Sequence, residues 1–186
     1  MKRWHGACLL ILSCWLDAAH SESPNFPSGS VCWPLHFAGI TVGTTTDSQV
    51  QRLLGQGVFR QHEGDTGGRY FIDLKGSMTL HAVSYTDRVV GELTLLPGID
   101  PTIRVSERKS AMTKWLDPDE GFGNWHALRL GSSKEEVFKN LGKPKKKSGD
   151  DQWTYHAICS CEIQDFFTLY FQNGRLSKIV LSAPAG

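Results

Sequence analysis

The stretch Phe37-Ala38-Gly39-Ile40-Thr41-Val42-Gly43 returns as Trp125-His126-Ala127-Leu128-Arg129-Leu130-Gly131, with the apolar residues and the closing glycine in the same places. Gly43 and Gly131 stand 88 residues apart. Further on, Val50-Gln51-Arg52-Leu53-Leu54-Gly55 matches Val137-Phe138-Lys139-Asn140-Leu141-Gly142 at a spacing of 87, so one residue is lost between the two landmarks. Self-similarity at a fixed period marks repeated structural units, and this chain carries two.

The local chemistry of the copies agrees. Thr46 with Gln49, and Ser132 with Glu135, have the spacing of a capping box, in which a hydroxyl accepts the N–H three residues on and the longer side chain reaches back. Val50 with Leu54, and Val137 with Leu141, lie one turn apart on one face, and Gly55 and Gly142 are placed to stop each helix. The spacing predicts helices over 46–54 and 133–141. Helices this short hold only when tertiary packing covers their apolar face.

The sequence supplies a sheet for that purpose. Strands are predicted over 69–74, 78–85 and 89–95 in the first copy and over 152–158, 166–171 and 176–181 in the second. Tyr85 aligns with Phe171 at a spacing of 86, and Asn173-Gly174 suits a two-residue type I′ hairpin. Each unit therefore reads as a short helix followed by an antiparallel meander. Neither has many apolar residues of its own to bury, so the two sheets are expected to join or share a core. The fold class is α+β.

With 186 residues, 40% hydrophobic and 21% charged, the chain has the composition of one or two globular units. A net charge of +1 makes no electrostatic case for a nucleic-acid partner. Residues 1–21 read as a signal peptide: Lys2 and Arg3, an apolar run over 7–16, then Ala19-His20-Ser21 at the cleavage site. The run is about half of what a bilayer span needs. Ile11-Leu12-Ser13-Cys14 offers an alternative as a lipobox, with Cys14 lipidated. Loss of residues 1–21 removes Lys2, Arg3 and Asp17 and leaves a formal charge of 0.

Export changes the reading of the five cysteines. Cys32, Cys159 and Cys161 remain in the mature chain, where an oxidising compartment favours a disulfide. Cys32 with Cys159 or Cys161 is the leading pairing, and Cys159 with Cys161, a strained ring, is the alternative. His156 with the last two cysteines lacks a fourth ligand of diagnostic spacing, so no metal or other cofactor is assigned. Residues 98–121 form a linker in which 102–116 reads as a helix with Val105, Met112 and Leu116 along one side. Asp117 to Gly121 is an acidic turn, and Lys143-Pro144-Lys145-Lys146-Lys147 a solvated loop.

Hydrolase, dinucleotide and phosphate-loop motifs are absent from the sequence, and no catalytic residue is assigned. His81 stands out mildly, since the 86-residue alignment puts it in the place of Phe167 on a strand face with Val83 and Tyr85. Burial would lower its pKa.

The residues Leu128-x-Leu130-Gly131-x-Ser133-x-Glu135-x-Val137-x-x-x-Leu141-Gly142-x-Pro144, then Trp153-x-Tyr155 and Leu169-x-Phe171-x-x-Gly174-x-Leu176-x-x-Ile179, resemble the small outer-membrane assembly lipoproteins of the SmpA/OmlA (BamE) type. The first copy keeps Ile40-x-Val42-Gly43 and Val50-x-x-x-Leu54-Gly55. A tandem pair of such units, here over 33–97 and 122–183, is similar to the β-lactamase inhibitor protein fold. The resemblance implies helices on one side of a sheet and a partner gripped by the other, in an exported binding or scaffolding protein of the bacterial envelope.

Strand alternation points the same way. Phe167, Leu169 and Phe171 share one face, while Phe166, Thr168, Tyr170 and Gln172 share the other. Phe166 and Tyr170 are thus the leading partner-binding candidates, joined by Trp153 and Tyr155 if their strand presents them outward. The expected function is a non-enzymatic protein-binding module that is periplasmic, outer-membrane associated or secreted. The alternatives are a component of, or accessory to, outer-membrane assembly anchored through Cys14, a secreted inhibitor of an exported enzyme, and an enzyme with an unrecognised site.

Overall fold

The computed structural model describes residues 30–31, 36–62, 66–85, 88–114, 128–158 and 163–183. The cysteines, the signal segment and the acidic turn lie outside the described residues. The chain is α+β. In order its elements are β1 (Ser30–Val31), β2 (His36–Phe37), β3 (Ile40–Thr41), α1 (Asp47–Leu54), β4 (Val58–Gln61), β5 (Gly67–Asp73), β6 (Met78–Ser84) and β7 (Val90–Pro97). A 3₁₀ turn over Val105–Glu107 leads into α2 (Arg108–Ala111) and β8 (Met112–Thr113). Then come α3 (Lys134–Leu141), β9 (Lys146–Ser148), β10 (Gln152–Ile158), β11 (Ile163–Gln172) and β12 (Arg175–Ser182).

Ten of the strands make one sheet, whose main path runs β1-β10-β11-β12-β7-β6-β5-β4, with β9 also on β10 and β8 also on β5. The two meanders join through β12 and β7, which pair antiparallel with Ile179 opposite Leu95, Val180 opposite Thr94 and Leu181 opposite Leu93. The two longer helices, α1 and α3, pack on one side of this sheet. Val50 and Leu54 of α1, Val137 of α3 and the inward residues of both meanders form a single buried cluster, so the two units share one core.

The caps explain where the helices begin. Thr46 accepts from the Gln49 N–H while Gln49 Oε1 accepts from the Thr46 N–H at 2.7 Å. In the second unit the box is Ser133 with Glu136, not Ser132 with Glu135. Ser132 is occupied elsewhere, since its hydroxyl accepts from the Arg129 N–H, as Thr45 accepts from that of Thr41. Those bonds span three residues in one copy and four in the other, which places the lost residue between Gly131 and Ser132. The Gly55 and Gly142 N–H groups close the helices on Gln51 O and Phe138 O.

Further equivalences run through the loops. Gly43 N donates to Val90 O as Gly131 N does to Leu176 O, and Val90 N to Thr45 O as Leu176 N does to Ser132 O. In both units the last strand carries a bulge, at Gly91 of β7 and Ser177 of β12, where the pairing slips between Val83 and Ser84 and between Tyr170 and Phe171. These bulges align the strands at 87 residues, so Phe171 corresponds to Ser84 and not to Tyr85, and the counterpart of His81 is Thr168 rather than Phe167. Asn173 (φ 52°) and Gly174 (φ 73°) make the expected left-handed pair at the second hairpin.

Three features depart from expectation. First, β4 and β9 are additional edge strands, so Lys146 and Lys147, the end of the stretch 143–147 read as a solvated loop, are paired to β10. Lysines suit that position because an edge strand keeps one side in water. Second, the helix expected over 102–116 is a 3₁₀ turn and a single α turn. The Asp100 carboxylate accepts from the Thr102 N–H and binds the chain as a turn, Val105 is 76% exposed, and Met112 adopts extended geometry and pairs with Ile72. Third, the short strands cross between units. β8, which precedes the second unit, lies parallel to β5 of the first, and β1, which precedes the first, lies parallel to β10 of the second.

Candidate functional site

Side-chain alternation gives the sheet two different faces. The register sets Trp153 against Leu169 and Tyr155 against Phe167, which places both aromatics on the helix side, 5% and 0% exposed. Trp153 and Tyr155 are therefore core residues and drop out as surface contacts. Burial pushes the Tyr155 phenol well up, and its hydroxyl donates to Gly142 O at 3.0 Å, tying the stop of α3 to the sheet.

Phe166 and Tyr170 stand on the face away from the helices, half-buried. Tyr170 carries the Lys178 ammonium 3.9 Å above its ring. Phe166 meets the edge of His156 at 4.9 Å, and Thr154 and Thr168 share a hydrogen bond between them at 3.3 Å. Burial, and then the charge of Lys145, lowers the His156 pKa. Along the seam, Thr94 donates to Glu92, which occupies in β7 the place that Lys178 occupies in β12. The two ends of the seam thus carry opposite charge.

The first unit's half of this face is closed by its own chain. Ile99, Ile103 and Ala111 pack on Val58, Tyr70 and Ile72, Thr79 bonds both Gly98 O and the Asp100 N–H, and Arg60 clamps Glu107 at 2.6 Å. Beside this cover, His81 stacks on Tyr70 with centroids 4.0 Å apart. Burial, reinforced by His62, lowers its pKa to about 4. Tyr85 packs on Gly91, where a Cβ would come within 1.8 Å of the ring; burial, and then Glu92, raises its phenol.

On the helix side the units solve one contact in opposite ways. Arg69 lies over Phe59 of β4 at 5.1 Å, and in the same positions of the second unit Lys147 of β9 lies over Trp153 at 4.5 Å. Arg69 also binds Asp47 of α1 at 2.6 Å. In α3 that position is Lys134, bonded to Asp151 at 3.0 Å, and a shallow cleft of about 490 Å³ lies beside it, lined by Phe138, Lys139, Lys147 and Trp153.

Among the described residues no group of three or more His, Cys, Asp or Glu side chains could hold a metal, and no helix is long and apolar enough to cross a membrane. The pairing candidates Cys32, Cys159 and Cys161, and the lipidation candidate Cys14, lie outside the described residues.

No protein-family model matches the sequence, and no curated protein matches it. Similar solved structures include a DUF4309 family protein (YjgB) from Bacillus subtilis, at 13% identity and TM-score 0.46, covering 78% of this chain and 82% of that one. A cysteine-rich secretory protein from Staphylococcus aureus is similar at 9% identity and TM-score 0.49, over 84% of this chain and 48% of that one. An extracellular protein containing an SCP domain, from Bacillus anthracis, is similar at 9% identity and TM-score 0.45, over 89% and 49%. The chain spans about half the length of the latter two.

Proposed function

We propose that the mature chain is an exported, non-enzymatic protein-binding module whose partner docks on the second unit's half of the sheet face opposite the helices. The observation that carries this reading is the asymmetry of that face. Among the described residues, 99–113 cover the first unit's half, while the second half presents Phe166 and Tyr170, half-buried, among threonines, Gln152 and Lys178. Rigid aromatics set among polar groups lose little side-chain entropy on binding and bury much area. The signal-like segment over 1–21 supports export.

The test compares capture of partners from an envelope extract by the wild-type mature chain and by Tyr170→Ala. Loss of a central aromatic anchor costs about 2 kcal/mol or more, so the variant should capture far less while its circular dichroism and melting are unchanged. A folded variant that captures as before overturns the reading. Salt-dependent loss on changing Lys145 to Lys147 would instead move the interface to the β9 edge.

A further inference from the structure

One group of side chains on the first unit's far face is used neither by the fold nor by the proposed docking surface. His62 follows the end of β4, His81 lies in β6, and β5 runs between them with Gly68 at the crossing. A Cβ on Gly68 would sit 2.2 Å from His81 Nε2 and 2.7 Å from His62 Nε2. Both nitrogens therefore converge on the hollow that the missing side chain leaves. The rings meet edge to face, 5.5 Å between centroids.

Both Nε2 atoms are buried, and neither has a hydrogen-bond partner among the described residues. An unsatisfied buried polar atom costs about 1–3 kcal/mol, and native structures carry few of them. Here two occur together and point at one place. A hydrogen bond between them would satisfy both, yet the arrangement does not make one. A third atom held by both nitrogens satisfies both at once, and a water there would have only two polar partners, the fewest that buried waters ordinarily have. Imidazole nitrogens are ligands for borderline transition metals, whereas calcium and magnesium need oxygen donors. The His81 ring is held in place by stacking on Tyr70 with an interplanar angle of 9°, and the His62 main chain by its backbone N–H, which donates to Thr66 O at 3.0 Å.

We propose that His62 and His81 form a two-imidazole site for a borderline divalent transition-metal ion, bound through both Nε2 atoms over Gly68. Two protein ligands make it an exchangeable site rather than a structural one, since structural zinc is held by four.

The test is calorimetric titration of the untagged mature chain with zinc chloride, alongside His62→Gln and His81→Gln. One equivalent should bind the wild type, each variant should bind at least tenfold more weakly, and zinc should shift the Nε2 resonances of both histidines in an imidazole ¹⁵N spectrum. His62 lies past a strand end, so His62→Gln carries the test if His81→Gln fails to fold, with far-ultraviolet circular dichroism confirming the fold. No zinc binding by the wild type, unchanged affinity in His62→Gln, or shifts confined to other histidines would overturn the proposal.

Discussion

Thr94 and Val180 face each other across the seam between the two meanders, and each is the other's counterpart in the repeat. On either side the pairs are exchanged, Ile179 with Leu95 and Leu181 with Leu93. A pseudo-twofold axis therefore passes between Thr94 and Val180, perpendicular to the sheet. It leaves α1 and α3 on the same side and makes one core of two units.

The seam predicts one cooperative unfolding transition. Ile179 and its repeat counterpart Leu93 are both 1% exposed, and replacing either by Ala should cost about 2–5 kcal/mol while the urea curve stays a single step. Two separable steps would show that the halves fold independently. Leu54 is buried and its counterpart Leu141 only half-buried, so Leu54→Ala should cost more than Leu141→Ala.

Gly57 sits at φ +59°, and a Cβ there would lie 2.6 Å from the Phe71 ring and 2.9 Å from Tyr70 O. Gly57→Ala combines left-handed strain with overpacking of a core residue, each worth about 1–3 kcal/mol. The expected loss in thermal or chemical denaturation is at least about 2 kcal/mol. A change near zero would mean that β4 is held loosely.

Acid should weaken the hold of α1 on the sheet. Burial alone would raise the Asp47 pKa, but the hydrogen bonds from Arg69 and Gln51 and the nearby arginine charges outweigh it, so the folded value lies below the unfolded one. The unfolded state then binds more protons across the interval between them. The contribution is present above the unfolded pKa and lost as pH falls through the folded one. Asp47→Asn should flatten the acid limb of the stability curve, and an unchanged limb would assign it to other carboxylates.

In the cysteine region, β1 lays Val31 opposite Ala157, one residue before Cys32 and two before Cys159. Non-reducing peptide mapping of the mature chain is expected to link Cys32 to Cys159 or Cys161. Closing a loop of more than about 120 residues stabilises by about 4 to 5 kcal/mol in the chain-entropy account, and reduction should lower the melting temperature. Three free thiols after oxidative refolding would reject the bond.

Short-range chemistry was legible in the sequence wherever it decides the structure alone. The Thr46 box, the stop glycines, the Asn173-Gly174 turn and β10 need only a few consecutive residues. The faces of β11 followed from alternation, with Phe167 and Leu169 inward and Phe166 and Tyr170 outward. What depends on pairing was hidden. Trp153 and Tyr155 alternate correctly in either orientation, and only their register against Leu169 and Phe167 turns them inward. Lys146–Ser148 has no apolar alternation because its outer side is water. His62 and His81 are 19 residues apart in the chain, and their meeting depends on the order of three strands and on one glycine. Trp33 and Trp115 each lie two residues past β1 and β8, a sequence mark of the crossed short strands that precede each unit.

The crossed short strands bear on how the molecule can come into being. As the chain emerges from its N-terminus, β1 has nothing to lie against until β10, about 120 residues later, has appeared, and the Ile72–Asp73 end of β5, beyond the reach of β4, lacks its outer neighbour until residue 113. Cut the gene ahead of β8 and each fragment would keep the short strand that belongs to the other while leaving one end of its own β5 or β10 unpaired, an invitation to trade strands with another copy. Each half completes the edge of the other, so the pair is expected to be finished only as one chain.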